Sequence, residues 1–346
     1  MGRKLLWASL ALAPATALVD RLAHPGDVTI FLLAAVSLVP LAWLIGESTE
    51  HAAEHTGPGI GGFLNASFGN APELIIALFA VADGLPGVVR GSLSGSVISN
   101  LLLVLGFACA IGPDGARVDR RSLFPQILLV GAAVVAFVLP AALGYTGDPE
   151  RHAVVVASIP VSAVLLVAYL VVTTRNLRRH RAKDRDEPAA GAWRLPVSLA
   201  VLAVATLATA YVSELLVHSL DAFAKAAGLS EFFTAAVIVA IVGNAAEHGS
   251  AVLIARTGNM PLATEISISS SAQVGVLVTP VVMLLSLAFT HPLALSFRWE
   301  ELAAMAAGVA VAFGVVWDGR TRRWEGAFLL TAYAAVAVGF ALAGNR

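Results

Sequence analysis

The chain has 346 residues, of which 58% are hydrophobic and only 13% are charged, and its formal net charge is −1. Soluble domains carry about a quarter charged residues, so this composition excludes an ordinary soluble globular protein. A net charge this close to zero gives no reason to expect a nucleic-acid partner. The single cysteine, Cys109, lies in an apolar run, which excludes a disulfide framework and a cysteine metal cluster.

Apolar runs long enough to cross a bilayer recur from one end of the chain to the other. In lipid such runs must be helical, because every backbone polar group needs an internal partner. We therefore predict an all-α, multi-pass membrane protein with about 11 transmembrane helices. The predicted spans are residues 4–22, 27–48, 60–82, 87–111, 122–144, 152–174, 194–219, 230–256, 262–289, 295–316 and 325–344. Residues 1–20 also fit the pattern of a cleaved signal peptide, an alternative that leaves the other spans unchanged.

The lysines and arginines predict the orientation. Sixteen of the 22 fall on one side of the predicted spans and six on the other. The positive-inside rule then gives a cytoplasmic N-terminus and an outside C-terminus, in a plasma membrane of bacterial type. The largest basic group is the loop 175–193.

Two segments of the sequence match each other, at residues 68–80 and 242–255. Each contains Gly-Asn-Ala followed by a glutamate, and the match continues to a serine 23 residues further on. The paired residues are Gly69 and Gly243, Asn70 and Asn244, Glu73 and Glu247, and Ser96 and Ser270. Five predicted spans separate the two copies, so they cross the membrane in opposite directions. This predicts an N-terminal helix (1–26), a first five-helix repeat (27–174), the basic loop (175–193) and an inverted second repeat (194–346).

Glu73 and Glu247 lie near the middle of their predicted spans. An ionisable side chain at that depth is costly, and it indicates a functional site unless it is a protonated carboxyl bonded to a neighbouring helix. Two such carboxylates repel each other, and a divalent cation or protons would relieve the repulsion. Hard cations such as Ca²⁺ bind oxygen ligands, and no soft ligand is available for copper or zinc. The predicted further ligands are Asn70, Asn244, Ser96, Ser99, Ser270 and Gln273.

Backbone irregularity is expected next to both glutamates. Pro72 cannot donate a hydrogen bond to the carbonyl of Phe68, which either leaves an acceptor beside Glu73 or simply kinks the helix. Gly69 and Gly243 loosen the two helices at matching points.

Three further residues are secondary candidates. His248 either relays protons or makes a structural hydrogen bond. Glu50 lies close to one helical face with two other glutamates and either gathers cations at the mouth of the site or belongs to a solvated helix end. Glu214 follows a serine in span seven as Glu50 follows Thr49 in span two.

These motifs resemble the two alpha-repeats of the calcium/cation exchanger superfamily, and most closely its Ca²⁺/H⁺ antiporter branch. The resemblance covers residues 40–345 and is strongest in GGFLNASFGNAPELIIALFA, SVISNLLLVLG, SELLVHSL and IVGNAAEHGSAVL. It implies that Glu73 and Glu247 bind Ca²⁺ and exchange it for protons, with Asn70 and Asn244 lining the site. It implies no enzymatic activity and no cofactor, since Ca²⁺ and H⁺ are the transported ions.

The chain departs from that pattern in three places. Pro72 replaces a small or β-branched residue, residues 269–273 read SSSAQ in place of GSATQ, and the loop between the repeats is basic where eukaryotic members often have an acidic helix. Regulation through such a helix is not expected here.

Other functions remain open at this point. A transporter of the same design could couple Ca²⁺ to Na⁺ or K⁺, or carry Mn²⁺. The segment HAAEH at 51–55 matches a metalloprotease pattern, which would make the chain an intramembrane protease. Beyond the bilayer and the ions, no partner is predicted, and the oligomeric state does not follow from the sequence.

Overall fold

The computed structural model describes residues 2–180 and 193–344, and almost all of them are helical. Two short strands, β1 (Ala116–Arg117) and β2 (Arg320–Thr321), form one antiparallel pair. The helices of the first half are α1 (Gly2–Ser9), α2 (Leu12–Ala23), α3 (Asp27–Phe68), α4 (Ala71–Ala82), α5 (Pro86–Ile98), α6 (Leu105–Ile111), α7 (Arg120–Gly144) and α8 (His152–His180). The helices of the second half are α9 (Leu195–Ala227), α10 (Glu231–Phe233), α11 (Ala240–Gly243), α12 (Ala245–Arg256), α13 (Met260–Gln273), α14 (Thr279–Ser286), α15 (Trp299–Val316) and α16 (Arg323–Ala343).

In the described residues, three π-helical segments each join two consecutive helices into one continuous helical stretch. They are Ser99–Val104 between α5 and α6, Thr234–Val239 between α10 and α11, and Val274–Val278 between α13 and α14. Such segments are frequent at functional sites in membrane and soluble helices alike.

In the described part of the chain, nine helical stretches are long and apolar enough to span a membrane, or ten if the bent pair α10–α11 and α12 counts as one. The all-α membrane fold is therefore confirmed, but the predicted count of eleven is not. The difference lies at the predicted span 60–82. There α3 continues to Phe68, and α4 has only 12 residues, which is about 18 Å of helix and too short for a bilayer core.

The repeat is visible in the helix boundaries themselves. Both ends of α12 lie 174 residues after the corresponding ends of α4. The same separation holds between the starts of α5 and α13 and between the starts of α6 and α14. The matching sequence motifs therefore fold into matching helix breaks.

The chain forms two compact units. The first comprises residues 1–79, 170–228 and 242–246. Its main contact is between α3 and α9. At one end the rings of Phe31 and Phe223 stack at 4.1 Å, and further along Leu44 and Ile45 pack with Leu202 and Ala205. The hydroxyls of Thr16 and Ser37 join α2 to α3 at 2.8 Å.

The second unit comprises residues 80–169, 229–241 and 247–346. Its helices approach closely at glycines. Gly95 of α5 lies against the backbone of Ala236, and Gly326 of α16 lies against the backbone of Ala110. Small residues at such crossings allow backbones to pack without side chains between them, as is typical of membrane helices.

Most of the predicted basic loop lies outside the described residues, including Arg181, Lys183 and Arg185, and so does Arg346. The predicted start of span ten at residue 295 is also displaced. Residues 293–297 are buried and belong to no helix or strand, and α15 begins at Trp299. Side chains bind the backbone of this segment in place of helical hydrogen bonds.

Candidate ion-binding site

Each copy of the Gly-Asn motif coincides with a break in a helix. In the first copy, α3 ends at Phe68 and α4 begins at Ala71. In the second, α11 ends at Gly243 and α12 begins at Ala245, with a bend of 58° between the two. The break leaves the last carbonyls of the preceding helix without the partners that a continuous helix would provide.

The glutamates occupy the same position after the two breaks. Glu73 and Glu247 are each the third residue of a 12-residue helix, in its first turn. A helix N-terminus favours a negatively charged side chain there. Carboxylates at the start of one half-helix and free carbonyls at the end of another are the groups with which discontinuous membrane helices bind cations.

Glu73 lies beside the second copy of the motif. A Cβ atom at Gly243 would be 3.5 Å from Cγ of Glu73 and 3.8 Å from its Oε1. Glu73 is buried, and so are Asn70 and Asn244, which occupy the two breaks. The first unit therefore contains Glu73 together with both Asn70 and Asn244. Glu247, which is half-buried, belongs to the second unit.

Pro72 is the second residue of α4 and is buried. In the first turn of a helix an N–H group has no intrahelical partner, so proline is compatible with this position. Pro72 therefore fits a helix start, and the break at Gly69 and Asn70 precedes it. This explains why the chain tolerates a proline next to Glu73.

The predicted hydroxyl and amide ligands lie just before two π-helical segments of the second unit or, for Ser99, at the start of one. Ser96, Ser99 and Ser270 are buried, and Gln273 is half-buried. The Ser99 hydroxyl donates to the carbonyl of Ser96 at 3.1 Å.

Asn100 is a residue that the sequence interpretation did not include. It is fully buried, and its Nδ2 donates to the Ser270 hydroxyl at 2.9 Å, which joins the first repeat to the second. The available signal was an amide within the apolar run SVISNLLLVLG, because a polar side chain at such a position needs a partner.

The secondary candidates Glu50, Glu214 and His248 differ in exposure. Glu50 is exposed and Glu214 is half-buried, and both belong to the first unit. Nε2 of His248 is buried and has no hydrogen-bond partner among the described residues. The structure therefore does not support a structural hydrogen bond from this nitrogen.

The HAAEH segment does not form a zinc site. His51 lies between two carboxylates, with Nε2 at 3.7 Å from Glu47 and Nδ1 at 4.0 Å from Glu54. Nδ1 of His55 lies 2.9 Å from the carbonyl oxygen of His51, so this ring nitrogen contacts the backbone of its own helix. Within residues 2–180 and 193–344, no three His, Cys, Asp or Glu side chains converge as metal ligands. The metalloprotease interpretation is not supported.

A helical membrane protein with two repeats, each broken beside a buried or half-buried glutamate, has the architecture of a secondary ion transporter. Comparison with known proteins agrees. The family model "Sodium/calcium exchanger protein" matches residues 27–177 and again 197–342, once for each repeat. The chain therefore belongs to the sodium/calcium exchanger protein family.

Relatives match over nearly the whole chain. The Ca²⁺/H⁺ antiporter ChaA of Bacillus subtilis is 38% identical, with 94% of this chain and 95% of the relative covered. The Ca²⁺/H⁺ antiporter of Synechocystis is 37% identical, with 91% of each covered. Among solved structures, that of the Ca²⁺/H⁺ antiporter protein YfkE has a TM-score of 0.83 at 34% identity, covering 98% of this chain and 99% of that one. The sodium–calcium exchanger NCX_Mj, at 20% identity and a TM-score of 0.56, shares the fold.

Proposed function

We propose that this chain is a secondary antiporter that exchanges Ca²⁺ for H⁺ across a membrane by alternating access. The observation that carries the proposal is the pair of helix breaks 174 residues apart, each followed by a glutamate in the first turn of a 12-residue helix. The antiporter relatives, similar over more than nine-tenths of the chain, support calcium and protons as the ions.

Glu73 and Glu247 are the proposed charged ligands of Ca²⁺. The amides of Asn70 and Asn244 and the carbonyls at the ends of α3 and α11 add oxygen ligands. Ca²⁺ takes roughly 6–8 oxygens in flexible geometry, so two carboxylates with amides and carbonyls suit it. Ser96, Ser99, Ser270 and Gln273 are the proposed remaining polar groups, some of them acting through water.

Proton coupling follows from charge. Two ionised carboxylates neutralise one Ca²⁺, and two protons neutralise the same carboxylates when the ion has left. Either occupied state can cross the low-dielectric interior, whereas the empty charged site pays a large desolvation cost. We propose His248, directly after Glu247, as a group through which protons reach the site.

For the orientation, we propose a cytoplasmic N-terminus and an outside C-terminus. The support is the sixteen-to-six distribution of lysines and arginines over the two sides of the predicted spans. Glu50 and Glu214, on α3 and α9, are proposed to raise the local cation concentration before ions enter.

Coupling to Na⁺ or K⁺, and transport of Mn²⁺, are the competing functions of the same fold. The proton-coupled relatives favour H⁺ over both. Mn²⁺ accepts the same oxygen ligands as Ca²⁺, so direct measurement must separate them.

The test is Ca²⁺ uptake into proteoliposomes driven by a pH gradient alone. Glu73→Gln and Glu247→Gln should each abolish uptake while the protein still purifies as a folded species, because each change removes a charged ligand and a proton carrier. Asp221→Asn is the control, since this carboxylate is about half exposed and pairs with Lys225 on the surface. Near-normal uptake in either glutamine variant would refute the site, and uptake that requires Na⁺ or K⁺ would refute proton coupling.

A further inference from the structure

Glu265 is an ionisable residue inside a membrane-spanning segment of the second unit, and it is not among the ligands proposed above. It is the sixth residue of α13, in the span Met260–Ser286, and it is half-buried. Two other carboxylates of this unit, Glu301 and Glu325, cap helix starts by accepting from backbone N–H groups. Glu265 lies in a helix interior, so capping does not account for it. An ionisable side chain at such a position indicates an ion pathway.

The side chain of Glu265 is held in place by α7. Its Oε1 accepts a hydrogen bond from the Ser122 hydroxyl at 2.9 Å and another from Nε2 of Gln126. Both donors are neutral, and an ionised carboxylate can only accept hydrogen bonds, so both contacts are compatible with a negative charge. No ion pair of the described residues involves Glu265. The carboxylate is therefore positioned by hydrogen bonds but not neutralised by a basic side chain.

Glu265 begins a row of polar side chains on one face of α13. Ser269 and Gln273 follow at intervals of four residues, which places all three on the same side of the helix. All three are half-buried, whereas the serines at 267, 270 and 271 on its other faces are buried. Within a membrane span, polar side chains that are not fully enclosed by protein line a water-filled path.

The row leads from one end of the span to the proposed site. Each interval of four residues corresponds to about 6 Å, so Gln273 lies about 12 Å along the helix from Glu265. Between them, the Ser269 hydroxyl donates to the carbonyl of Ile266 at 3.3 Å, which leaves the lone pairs of its oxygen for a cation or its water. Oxygen atoms of this kind are the ligands that Ca²⁺ prefers.

We propose that Glu265 is an entry residue for Ca²⁺. Its carboxylate attracts the hydrated cation at the end of the span where α13 begins, and Ser269 is the next contact on the way to Gln273. The inference rests on the proposed Ca²⁺/H⁺ antiport and adds a residue that acts before the cation reaches its ligands. Removal of the charge should therefore raise the KM for Ca²⁺ and leave the maximal rate unchanged. Because the path opens at one side only, the effect should be confined to Ca²⁺ that approaches from that side.

The experiment measures initial rates of Ca²⁺ uptake, driven by a pH gradient, in everted and in right-side-out membrane vesicles. Glu265→Gln keeps an acceptor oxygen for Ser122 and Gln126 but removes the charge. At low ionic strength it should raise the KM about threefold or more, as estimated for a divalent cation about 12 Å from a unit charge in water. The rise should occur in the everted vesicles alone, because they expose the proposed cytoplasmic side. It should shrink as salt shortens the Debye length.

Two further variants separate charge from structure. Glu265→Asp keeps the charge on a shorter side chain, so it should keep a KM close to that of wild type even if the bonds to α7 weaken. Asp119→Asn is the matched control. Asp119 is exposed at the start of α7 and accepts from the N–H of Arg121, a bond that asparagine can also accept. This variant removes one negative charge from the same membrane surface and should leave the KM unchanged.

The outcomes are distinct. An unchanged KM in Glu265→Gln, an equal rise in vesicles of both orientations, or an equal rise in Asp119→Asn would each overturn the role of Glu265 while the antiport function stands. An equal rise in Glu265→Asp would assign the effect to the hydrogen bonds with α7 and overturn it as well. If the wild-type protein shows no uptake driven by the pH gradient, the proposed function fails, and this inference fails with it.

Discussion

The hydroxyl of Ser271 donates a hydrogen bond of 3.1 Å to the carbonyl of Val97, and these two residues are equivalent positions of the two repeats, 174 residues apart. A residue can contact its own counterpart only where the axis that relates two copies passes between them. The crossing of α5 and α13 at this point therefore marks the pseudo-symmetry axis of the repeats within the second unit.

This contact predicts the behaviour of Ser271. Ser271→Ala should lower the free energy of unfolding by about 1–3 kcal/mol, because the buried hydrogen bond is lost, and Ser271→Val should cost more by crowding the crossing. The measurement is thermal or denaturant unfolding in detergent. Ser267→Ala is the control, since the hydroxyl of this equally buried serine donates to the carbonyl of Ala263 within its own helix. Equal losses in the two alanine variants would contradict a special role for the crossing.

The proximity of Gly243 to Glu73 gives a second prediction. A methyl group at Gly243 would make ordinary contact with Glu73 at 3.5 Å, so Gly243→Ala should fold and retain exchange. Gly243→Leu should displace the carboxylate and weaken Ca²⁺ binding at least about tenfold, equivalent to about 1.4 kcal/mol.

The control for that series lies in the next helix. A Cβ atom at Gly249 of α12 would meet nothing within 4 Å, so Gly249→Leu should leave Ca²⁺ binding unchanged. Binding is measured by calorimetry on purified protein. If Gly243→Leu binds Ca²⁺ as well as Gly249→Leu, then Glu73 does not act as a ligand next to Gly243.

Close packing of α5 on the π-helical segment 234–239 predicts a strong effect at Gly95. A Cβ atom there would lie 2.7 Å from the carbonyl carbon of Ala236 and 2.9 Å from its Cα. The backbone of Ala236 cannot move aside as a flexible side chain would. Gly95→Ala should therefore lower the free energy of unfolding by about 1–3 kcal/mol or more. Gly131→Ala is the comparison, with its nearest neighbour Val309 at 3.6 Å. Fluorescence-detected size-exclusion chromatography after heating should show early loss of the Gly95 variant alone.

Two features of this structure could be predicted from the sequence: the apolar membrane spans and the internal repeat. Apolar length identified most of the spans, and the spacing of Glu73 and Glu247 matches the spacing of α4 and α12 to the residue. The predicted third span is interrupted by a helix break, which its apolar composition does not reveal. Gly69 and Asn70 end the helix within a stretch whose composition alone fits a single span.

Residues that act through non-local contacts could not be predicted. The bond from Asn100 to Ser270 joins residues 170 positions apart, and no local pattern indicates it. The same holds for residues 293–297, whose backbone is satisfied by Glu150, Ser158 and Ser286 from other parts of the chain. An apolar run here predicts a helix, and the tertiary partners are what allow a non-helical backbone.

The inverted topology predicts that the basic loop and the C-terminus lie on opposite sides of the membrane. The one native cysteine, Cys109, is buried, so single cysteines introduced at Lys183 and Gly344 can be labelled selectively in intact cells. A membrane-impermeant maleimide should label the Gly344 variant in intact cells and the Lys183 variant only after lysis. Labelling of both positions from the same side would contradict an inverted repeat with this orientation.

Competition between Ca²⁺ and protons for the same carboxylates predicts proton release on binding. Bound Ca²⁺ requires both Glu73 and Glu247 to be ionised, whereas the vacated site is neutral only after it takes up protons. The two groups should therefore titrate as a coupled pair, and the affinity for Ca²⁺ should fall as the pH falls. Calorimetric titrations in buffers of different ionisation enthalpy measure the released protons directly, because each proton adds the buffer's own heat. Glu73→Gln and Glu247→Gln should each reduce the number released. If the observed heat is independent of the buffer, Ca²⁺ does not displace protons, and the antiport mechanism gives way to coupling with another ion.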